Sequence, residues 1–413
     1  MNNIKTKAPN YTFALIVMFA VLFLIGFITT MNNSMIEFCK QAFNLKDSQG
    51  QLVNTAFYGA YALSIPFGLM MNKIGYKKTL LLGLAIVGIG FIINYLGISS
   101  LLGMETSVIY SVFLGSMFIV ALGIVMLQLV ANPYVMVLGS PEKGAFRMTL
   151  ANALNSAATT VAPVFITYVI IAGKAPTPDA VPTPYLGLGI FTLILCAILF
   201  FMKLPNINEA EQAEEASGEH KEYKSSVFQY PHVWLGMLGI FFYMGIELGV
   251  PSMLPAYFKS NPSLLDYGTA TEFLSYYWGG MMIGRFAGAI ILNKFKPRHI
   301  LSVCLICGAI CVATSFVLSG IASVYAMLAA GLFHSVMWPL VFNLGLQELG
   351  PHTKAASGII NLGVVGGATL PLVMGAIVDN PALGVGYAIA LMFIYYIYVF
   401  WFCNFGSKIG LKK

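Results

Sequence analysis

Long apolar runs alternate with short polar segments along nearly the whole chain, and this pattern predicts its architecture. A helix rises about 1.5 Å per residue, so about 20 apolar residues cross a hydrocarbon core about 30 Å thick. The pattern predicts twelve such spans, at about 11–31, 52–71, 79–97, 109–137, 149–172, 185–203, 233–256, 271–293, 300–319, 323–346, 355–378 and 385–405. We therefore expect an all-α membrane protein of twelve transmembrane helices.

Residues 204–232 form the one long run that is too polar for hydrocarbon, LPNINEAEQAEEASGEHKEYKSSVFQYPH. Six of the sixteen acidic residues of the chain fall in this run, so it requires water. We interpret it as a linker between two six-helix bundles, residues 1–203 and 233–413. An Asn-Lys pair precedes a basic turn after span 2 and again after span 8, as expected of a duplicated half.

The composition places the chain in a membrane and its basic residues predict an orientation. With 58% hydrophobic and 9% charged residues, it departs far from a soluble protein. The net charge of +6 is spread over short loops rather than gathered in a patch, so no nucleic-acid partner is indicated. If the N-terminus is cytoplasmic, seventeen Lys and Arg residues lie inside, four lie outside and Arg285 lies in a span. This count predicts a multi-pass membrane protein with both termini and the linker in the cytoplasm.

Polar residues and prolines interrupt several spans and predict an internal cavity. Span 4 contains LQLVANPYVMVLG, in which Pro133 lacks the N–H that a continuous helix needs. Span 5 places Asn152 and Asn155 on one helix face, and these polar side chains must face other helices or water rather than lipid. Kinked helices at membrane depth are typical of helices that line a cavity.

Several stretches in both halves resemble one family. They are FYGAYALSIPFGLMMNKIGYKK, LQLVANPYVMVLG, FRMTLANALNSAATTVAP, YYWGGMMIGRF, HSVMWPLVFNLGLQELG and VVGGATLPLVMG. The chain is similar to the sugar-transporting members of the major facilitator superfamily related to fucose permease and to bacterial glucose/galactose transporters. This resemblance implies two pseudo-symmetric six-helix bundles around a central cavity that opens alternately to each side. It also implies a location in the bacterial inner membrane.

The resemblance also exposes two departures. Fucose permease carries acids implicated in proton coupling in spans 1 and 4, and the matching positions here hold the amides Asn33 and Gln128. Other branches of the family place an acid in span 7, where this chain has Glu247. The basic turn after span 2 carries Asn72 where the superfamily loop usually has Asp, which weakens the expected pairing of charges at a cytoplasmic gate. We assign Asn72, Lys73, Arg285 and Lys294 to that gate.

A sugar offers hydroxyl groups and an apolar ring face, so its site needs amides and flat aromatic surfaces. Within or beside the spans, the candidate substrate-binding residues are Asn32, Asn33, Gln128, Asn132, Asn152, Asn155, Tyr277, Trp278, His334, Trp338, Asn343 and Asn361. Each amide could instead hold two helices together, and Trp338 could be core packing. His334 could likewise be a structural histidine rather than a contact or relay.

Glu247 is the acidic residue that lies well inside a span, and it is the candidate for proton coupling. Burying its ionised carboxylate without a partner would cost several kcal/mol, so it must be protonated or paired. A salt bridge to Arg285 is the structural alternative. We expect the two to be apart, because Arg285 lies near the inner end of span 8 and Glu247 lies outward of the middle of span 7.

The leading hypothesis is therefore a monomeric importer of a hexose or related monosaccharide, driven by protons. Within transport, a uniporter or a sodium-coupled carrier is the alternative, and a sugar receptor without transport is a further one. A membrane enzyme would need a catalytic cluster, which we do not find. Cys304, Cys307 and Cys311 are spaced along one helix face but lack a neighbouring acid or His, so we expect core thiols and neither a metal nor a cofactor.

Overall fold

Each half of the chain folds into helices that match the predicted spans. The computed structural model describes residues 11–45, 47–50, 52–138, 143–171, 177–204, 223–267, 270–380 and 382–411. The first half contains the helices Thr12–Ala42 (span 1), Leu52–Gly59 and Ser64–Leu101 (spans 2 and 3), Thr106–Val137 (span 4), Gly144–Phe165 (span 5) and Pro182–Phe201 (span 6). The short helix Asp47–Gly50 lies between spans 1 and 2, and a π-helical segment, Ile166–Ile171, extends span 5.

The second half repeats this plan with more breaks. Its helices are Pro231–Ser260 (span 7), Ala270–Ile291 (span 8), Pro297–Val317 (span 9), Ile321–His334 and Met337–Gly345 (span 10), Thr353–Leu362 and Gly366–Asp379 (span 11), and Val385–Ala390 and Met392–Asn404 (span 12). Most of the polar linker, residues 205–222, lies outside the described residues.

In the described part of the chain, nine helical stretches are long and apolar enough to cross a membrane. One of them, Leu52–Leu101, is 50 residues long and holds spans 2 and 3. These two spans are separate helices because Gly75 takes a φ of +82°, a conformation that glycine adopts without a steric penalty. Spans 5 and 8 are helices of 22 residues each and complete the twelve. The predicted all-α fold of twelve helices is confirmed.

The two halves meet through a small set of helix pairs. Span 11 packs against spans 2 and 4, and span 5 packs against spans 8 and 10. Adding six to each number converts the 2–11 pair into the 8–5 pair, as two halves related by a pseudo-two-fold axis require. The backbones of the two halves approach closely at Gly68 and Gly358, since a Cβ added to Gly68 would lie 2.9 Å from the Cα of Gly358. We call the end of the bundle where span 6 ends and span 7 begins the linker side; this glycine contact closes the bundle toward that side.

Candidate substrate and coupling site

An ion pair lies within the spans of the second half. The guanidinium Nη2 of Arg285 in span 8 is 3.4 Å from the carboxylate Oε1 of Glu247 in span 7. The two side chains are 11% and 14% exposed, so water screens this pair only partly. The requirement that Glu247 be protonated or paired is met here by pairing.

The expected separation of Arg285 from Glu247 is therefore wrong. Side chains on a helix lean toward its N-terminus. Spans 7 and 8 run in opposite directions, so the side chain of Arg285 leans away from the linker side while that of Glu247 leans toward it, and the two approach each other. A comparison of Cα depths alone misses this lean. The side chain of Arg285 is buried within the bundle. Its assignment to the cytoplasmic gate stays a prediction.

Arg285 joins the two halves as well as pairing with Glu247. Its Nη1 donates to the hydroxyl of Ser156 in span 5 of the first half, and its Nε donates to the carbonyl of Ser335 at 3.1 Å. That carbonyl is free because Pro339, four residues later, has no N–H to donate to it. One guanidinium thus contacts the candidate coupling carboxylate, a proline break in span 10 and the opposite half.

Tyr277 and His334 lie together, but inside the second half rather than on a cavity wall. Both side chains are fully buried. The Tyr277 hydroxyl lies 2.8 Å from His334 Nδ1, and His334 Nε2 contacts the hydroxyl of Tyr396. The expected aromatic surface for a sugar is therefore not provided by Tyr277 in this structure, because its ring has no free face.

The two tryptophans differ in their surroundings. Trp338 is buried and stacks on Phe342 with ring centroids 5.0 Å apart. Trp278 is half-buried and meets the ring of Tyr277 edge-on, with centroids 5.2 Å apart. Trp278 therefore keeps surface for a ligand, whereas the ring of Trp338 is already engaged by a neighbour in its own helix.

Two of the predicted amides, Asn155 and Asn32, join helices of the first half. Asn155 donates from Nδ2 to the carbonyl of Leu22 at 2.6 Å, which ties span 5 to span 1. Asn32 donates to Asn54 at 3.4 Å, a weak contact between spans 1 and 2. Asn152 instead donates to the carbonyl of Met148 in its own helix at 2.9 Å. The helix-joining alternative thus applies to Asn155 and Asn32, and both Asn152 and Asn155 are only half-buried.

The remaining amides include the two that most need a partner. Asn132 and Asn361 are buried. In each of them, both the amide nitrogen and the amide oxygen lack a hydrogen-bond partner among the described residues. Gln128 accepts a hydrogen bond of 2.5 Å from the hydroxyl of Tyr61, and Asn343 is half-buried. The side chain of Asn33 lies outside the described residues.

The basic turns lie at the surface of the bundle. Asn72, Lys73 and Lys294 are exposed. A further contact between the halves near this end comes from Lys354 of span 11, whose Nζ lies 4.9 Å from the ring centre of Tyr76. This cation lies over an aromatic face, and nothing in the sequence marked Lys354 for this position.

Three further residues of the site have no clear signal in the sequence. Tyr61, Ser156 and Tyr396 lie in apolar or small-residue stretches, and their hydroxyls are the partners of Gln128, Arg285 and His334. Only the position of Ser156 beside Asn155 could have suggested it. Among the described residues, no three His, Cys, Asp or Glu side chains group as a metal site would require.

The family model for the Major Facilitator Superfamily matches residues 18–371. The chain belongs to the Major Facilitator Superfamily. A glucose/galactose transporter of Brucella abortus is 37% identical over 98% of this chain and 96% of its own length. A putative glucose/galactose transporter of Helicobacter pylori is 34% identical over 96% of this chain and 97% of its own. The L-fucose-proton symporter of Escherichia coli is 26% identical over 90% of this chain and 88% of its own.

Solved structures of the superfamily share the fold. The fucose transporter FucP, in an outward conformation, aligns with a TM-score of 0.77 and 24% identity, over 96% of this chain and 99% of that one. The proton:xylose symporter XylE aligns with a TM-score of 0.74 and 14% identity, over 96% of each chain. The resemblance drawn from the sequence motifs is confirmed, and this superfamily member is a membrane transporter rather than an enzyme.

Proposed function

We propose that this chain imports a monosaccharide, a hexose such as glucose, galactose or fucose, by alternating access to a cavity between its two halves. Relatives named as glucose/galactose transporters, 37% and 34% identical over nearly the whole chain, support this class of substrate. We place residues 1–203 in one half and residues 233–413 in the other. We further propose that it works as a monomer in the bacterial inner membrane, with both termini and the linker in the cytoplasm.

Unpartnered amides from both halves support a polyhydroxylated substrate. Asn132 belongs to span 4 and Asn361 to span 11, two spans that pack together. Leaving a buried amide without hydrogen bonds costs about 1–3 kcal/mol per group. Sugar hydroxyls can donate to one amide atom and accept from the other, which removes this cost when the substrate is bound. We assign Gln128 and Trp278 to the same site, as a further polar contact and as the aromatic surface.

We propose that protons drive the import and that Glu247 carries them. The observation behind this proposal is that Arg285 contacts Glu247 and the first-half residue Ser156 at the same time. A proton on Glu247 would cancel the charge that holds the guanidinium. Arg285 would then be free to leave Ser156, so loading a proton would loosen a contact that keeps the halves together.

Glu247→Gln tests this proposal, because glutamine keeps the shape of a protonated Glu. Purified protein in liposomes is assayed with labelled glucose, galactose and fucose, for counterflow and for uptake driven by a pH gradient. We expect the variant to retain counterflow, since a neutral side chain lets the loaded carrier reorient, and to lose uphill accumulation. Glu105→Gln is the matched control, because Glu105 is exposed between spans 3 and 4 and its replacement should change neither assay.

Other outcomes identify the alternatives. Accumulation that follows a sodium gradient would indicate sodium coupling, and counterflow without accumulation in the unmodified protein would indicate a uniporter. Binding without flux would indicate a receptor. Accumulation that survives Glu247→Gln with its pH dependence intact would exclude Glu247 as the proton carrier, and loss of both binding and counterflow would make it a sugar ligand.

A further inference from the structure

The backbone carbonyl of Glu247 lacks its usual helical partner. In a helix, the carbonyl of residue i accepts from the N–H of residue i+4, and four residues after Glu247 the chain has Pro251, which has no N–H. The hydroxyl of Tyr277 in span 8 takes the vacant place and donates to this carbonyl at 2.7 Å. The backbone hydrogen bond that Pro251 removes from span 7 beside the candidate coupling carboxylate is therefore replaced by one from a side chain of another helix.

The donors and acceptors around Tyr277 can be assigned, because its hydroxyl carries a single proton. A tyrosine hydroxyl has one proton, and the Tyr277 proton points to the Glu247 carbonyl. At 2.8 Å from His334 Nδ1 its oxygen must accept, so Nδ1 carries a hydrogen and donates. An uncharged imidazole then accepts at Nε2 from the hydroxyl of Tyr396. The result is a directed chain from Tyr396 through His334 and Tyr277 to the Glu247 carbonyl.

The surroundings hold this chain in place. The side chains of Tyr277 and His334 are fully buried, so water does not compete for their hydrogen bonds. Gly331 makes room for the ring, since a Cβ at this position would lie 2.9 Å from Tyr277 Cδ2. The hydroxyl of Tyr243, one helical turn before Glu247, donates to the carbonyl of His334 at 3.2 Å. Spans 7, 8, 10 and 12 are thus tied together around one backbone position.

We propose that Tyr277 is a positioning residue for Glu247: its hydroxyl, oriented by His334 and Tyr396, completes the proline-broken backbone of span 7 and so places the Glu247 carboxylate against Arg285. The proposal rests on the proposed function for the importance of Glu247. It assigns Tyr277 and His334 a role in the coupling site that differs from the sugar contact expected from the sequence. Tyr277 and Arg285 lie eight residues apart on span 8, so one helix presents both the support and the ion-pair partner of Glu247.

The test uses the infrared absorption of the Glu247 carboxyl group, in protein reconstituted in liposomes. The Glu247 band is identified as the part of the spectrum that disappears in Glu247→Gln. We expect Tyr277→Phe, which removes one hydroxyl, to shift this band. We also expect it to reduce proton-driven accumulation about threefold relative to counterflow. Tyr276→Phe is the matched control, because Tyr276 is the adjacent tyrosine of span 8 but is exposed on its outer face.

A second variant separates positioning from simple loss of stability. Pro251→Ala restores the N–H that the Glu247 carbonyl lacks, so in the double variant Pro251→Ala/Tyr277→Phe the helix itself supplies the missing partner. We expect the Glu247 band of the double variant to return to its original frequency and accumulation to recover. A band that is unchanged in Tyr277→Phe overturns the proposal, even if the melting temperature falls. A shift that persists in the double variant also overturns it.

The infrared measurement does not depend on proton coupling. If the unmodified protein shows no proton-driven accumulation, the proposed coupling fails, and the band positions of the same variants still decide whether Tyr277 positions Glu247. If coupling is observed and the band does not respond to Tyr277→Phe, the positioning role fails and the proposed function stands.

Discussion

The hydroxyl of Ser357 in span 11 donates to the carbonyl of Leu129 in span 4 at 3.3 Å, a bond that joins the two halves. Leu129 lies four residues before Pro133, so its carbonyl is again one that a proline leaves without an N–H partner. The carbonyls of Glu247 and Ser335 are released in the same way by Pro251 and Pro339. In spans 4, 7 and 10, therefore, proline supplies a backbone acceptor and a side chain of another helix uses it.

Ser357→Ala should loosen the linker side of the bundle. It removes the donor to the Leu129 carbonyl, which then lacks a partner when the halves are closed at this side. The closed state should therefore be destabilised by about 1 kcal/mol relative to the open state. A single cysteine at Ala355, in a background without the six native cysteines, is buried by the same closure. Its alkylation by a small reagent should become about fivefold faster in the variant.

A second change tests the reason for this increase. Adding Pro133→Ala, which returns an N–H to the Leu129 carbonyl, should reverse most of it. An unchanged alkylation rate in Ser357→Ala would contradict the prediction.

Gly358→Ala should prevent closure at the contact between spans 2 and 11. The added Cβ would lie 2.6 Å from the carbonyl oxygen of Ser64 and 3.0 Å from the Cα of Gly68, and both of these atoms belong to the backbone. We expect counterflow to be lost, because a carrier that cannot close one side cannot alternate. Gly375→Ala in the same span is the control, since no atom lies within 4 Å of its added Cβ, and it should transport normally. Normal counterflow by Gly358→Ala would show that closure does not need this contact.

Arg285→Met should destabilise the protein more than the double change Arg285→Met/Glu247→Gln. Removing one partner of a buried ion pair leaves an uncompensated charge and costs up to about 3–5 kcal/mol, whereas removing both charges is often nearly neutral. The measurement is thermal unfolding of the purified protein in detergent, with both single variants and the double variant compared at one pH. Strictly additive losses in the double variant would mean that the two groups do not interact.

Trp278→Ala should weaken sugar binding with little loss of stability, because Trp278 is half-buried and its ring keeps a free surface. Loss of a desolvated aromatic contact of about 1–3 kcal/mol corresponds to roughly tenfold or more in affinity. Trp338→Ala should instead lower stability first, by about 3–5 kcal/mol, since its buried ring stacks on Phe342. Binding titrations and melting curves on the same samples separate the two effects; parental affinity in Trp278→Ala would place the aromatic surface elsewhere.

The orientation predicted from the basic residues can be checked in intact cells. Asp179 lies in the loop before span 6, which the charge count places outside, and Ser217 lies in the linker, which it places inside. A cysteine that replaces Asp179 should react with an impermeant thiol reagent, whereas one that replaces Ser217 should react only after the membrane is opened. The opposite labelling would reverse the topology.

The sequence was sufficient for the features that depend on the membrane itself. Runs of about 20 apolar residues predicted the spans because hydrocarbon tolerates almost no other backbone but a helix. The basic turn predicted after span 2 is present, and the chain reverses there at Gly75 through a positive φ. The sequence also predicted that Glu247 is either protonated or paired, because burying an unpaired charge is costly whichever way the side chain points.

The tertiary structure alone decided which partners the polar groups have. In a soluble helix, alternation of apolar and polar residues indicates the buried face, but in a membrane the faces toward lipid and toward other helices are both apolar. The sequence therefore could not show that Tyr277 points into the second half rather than into a cavity. It also could not bring Arg285 to Glu247, because side-chain lean and helix packing, rather than position along the chain, determine which atoms meet.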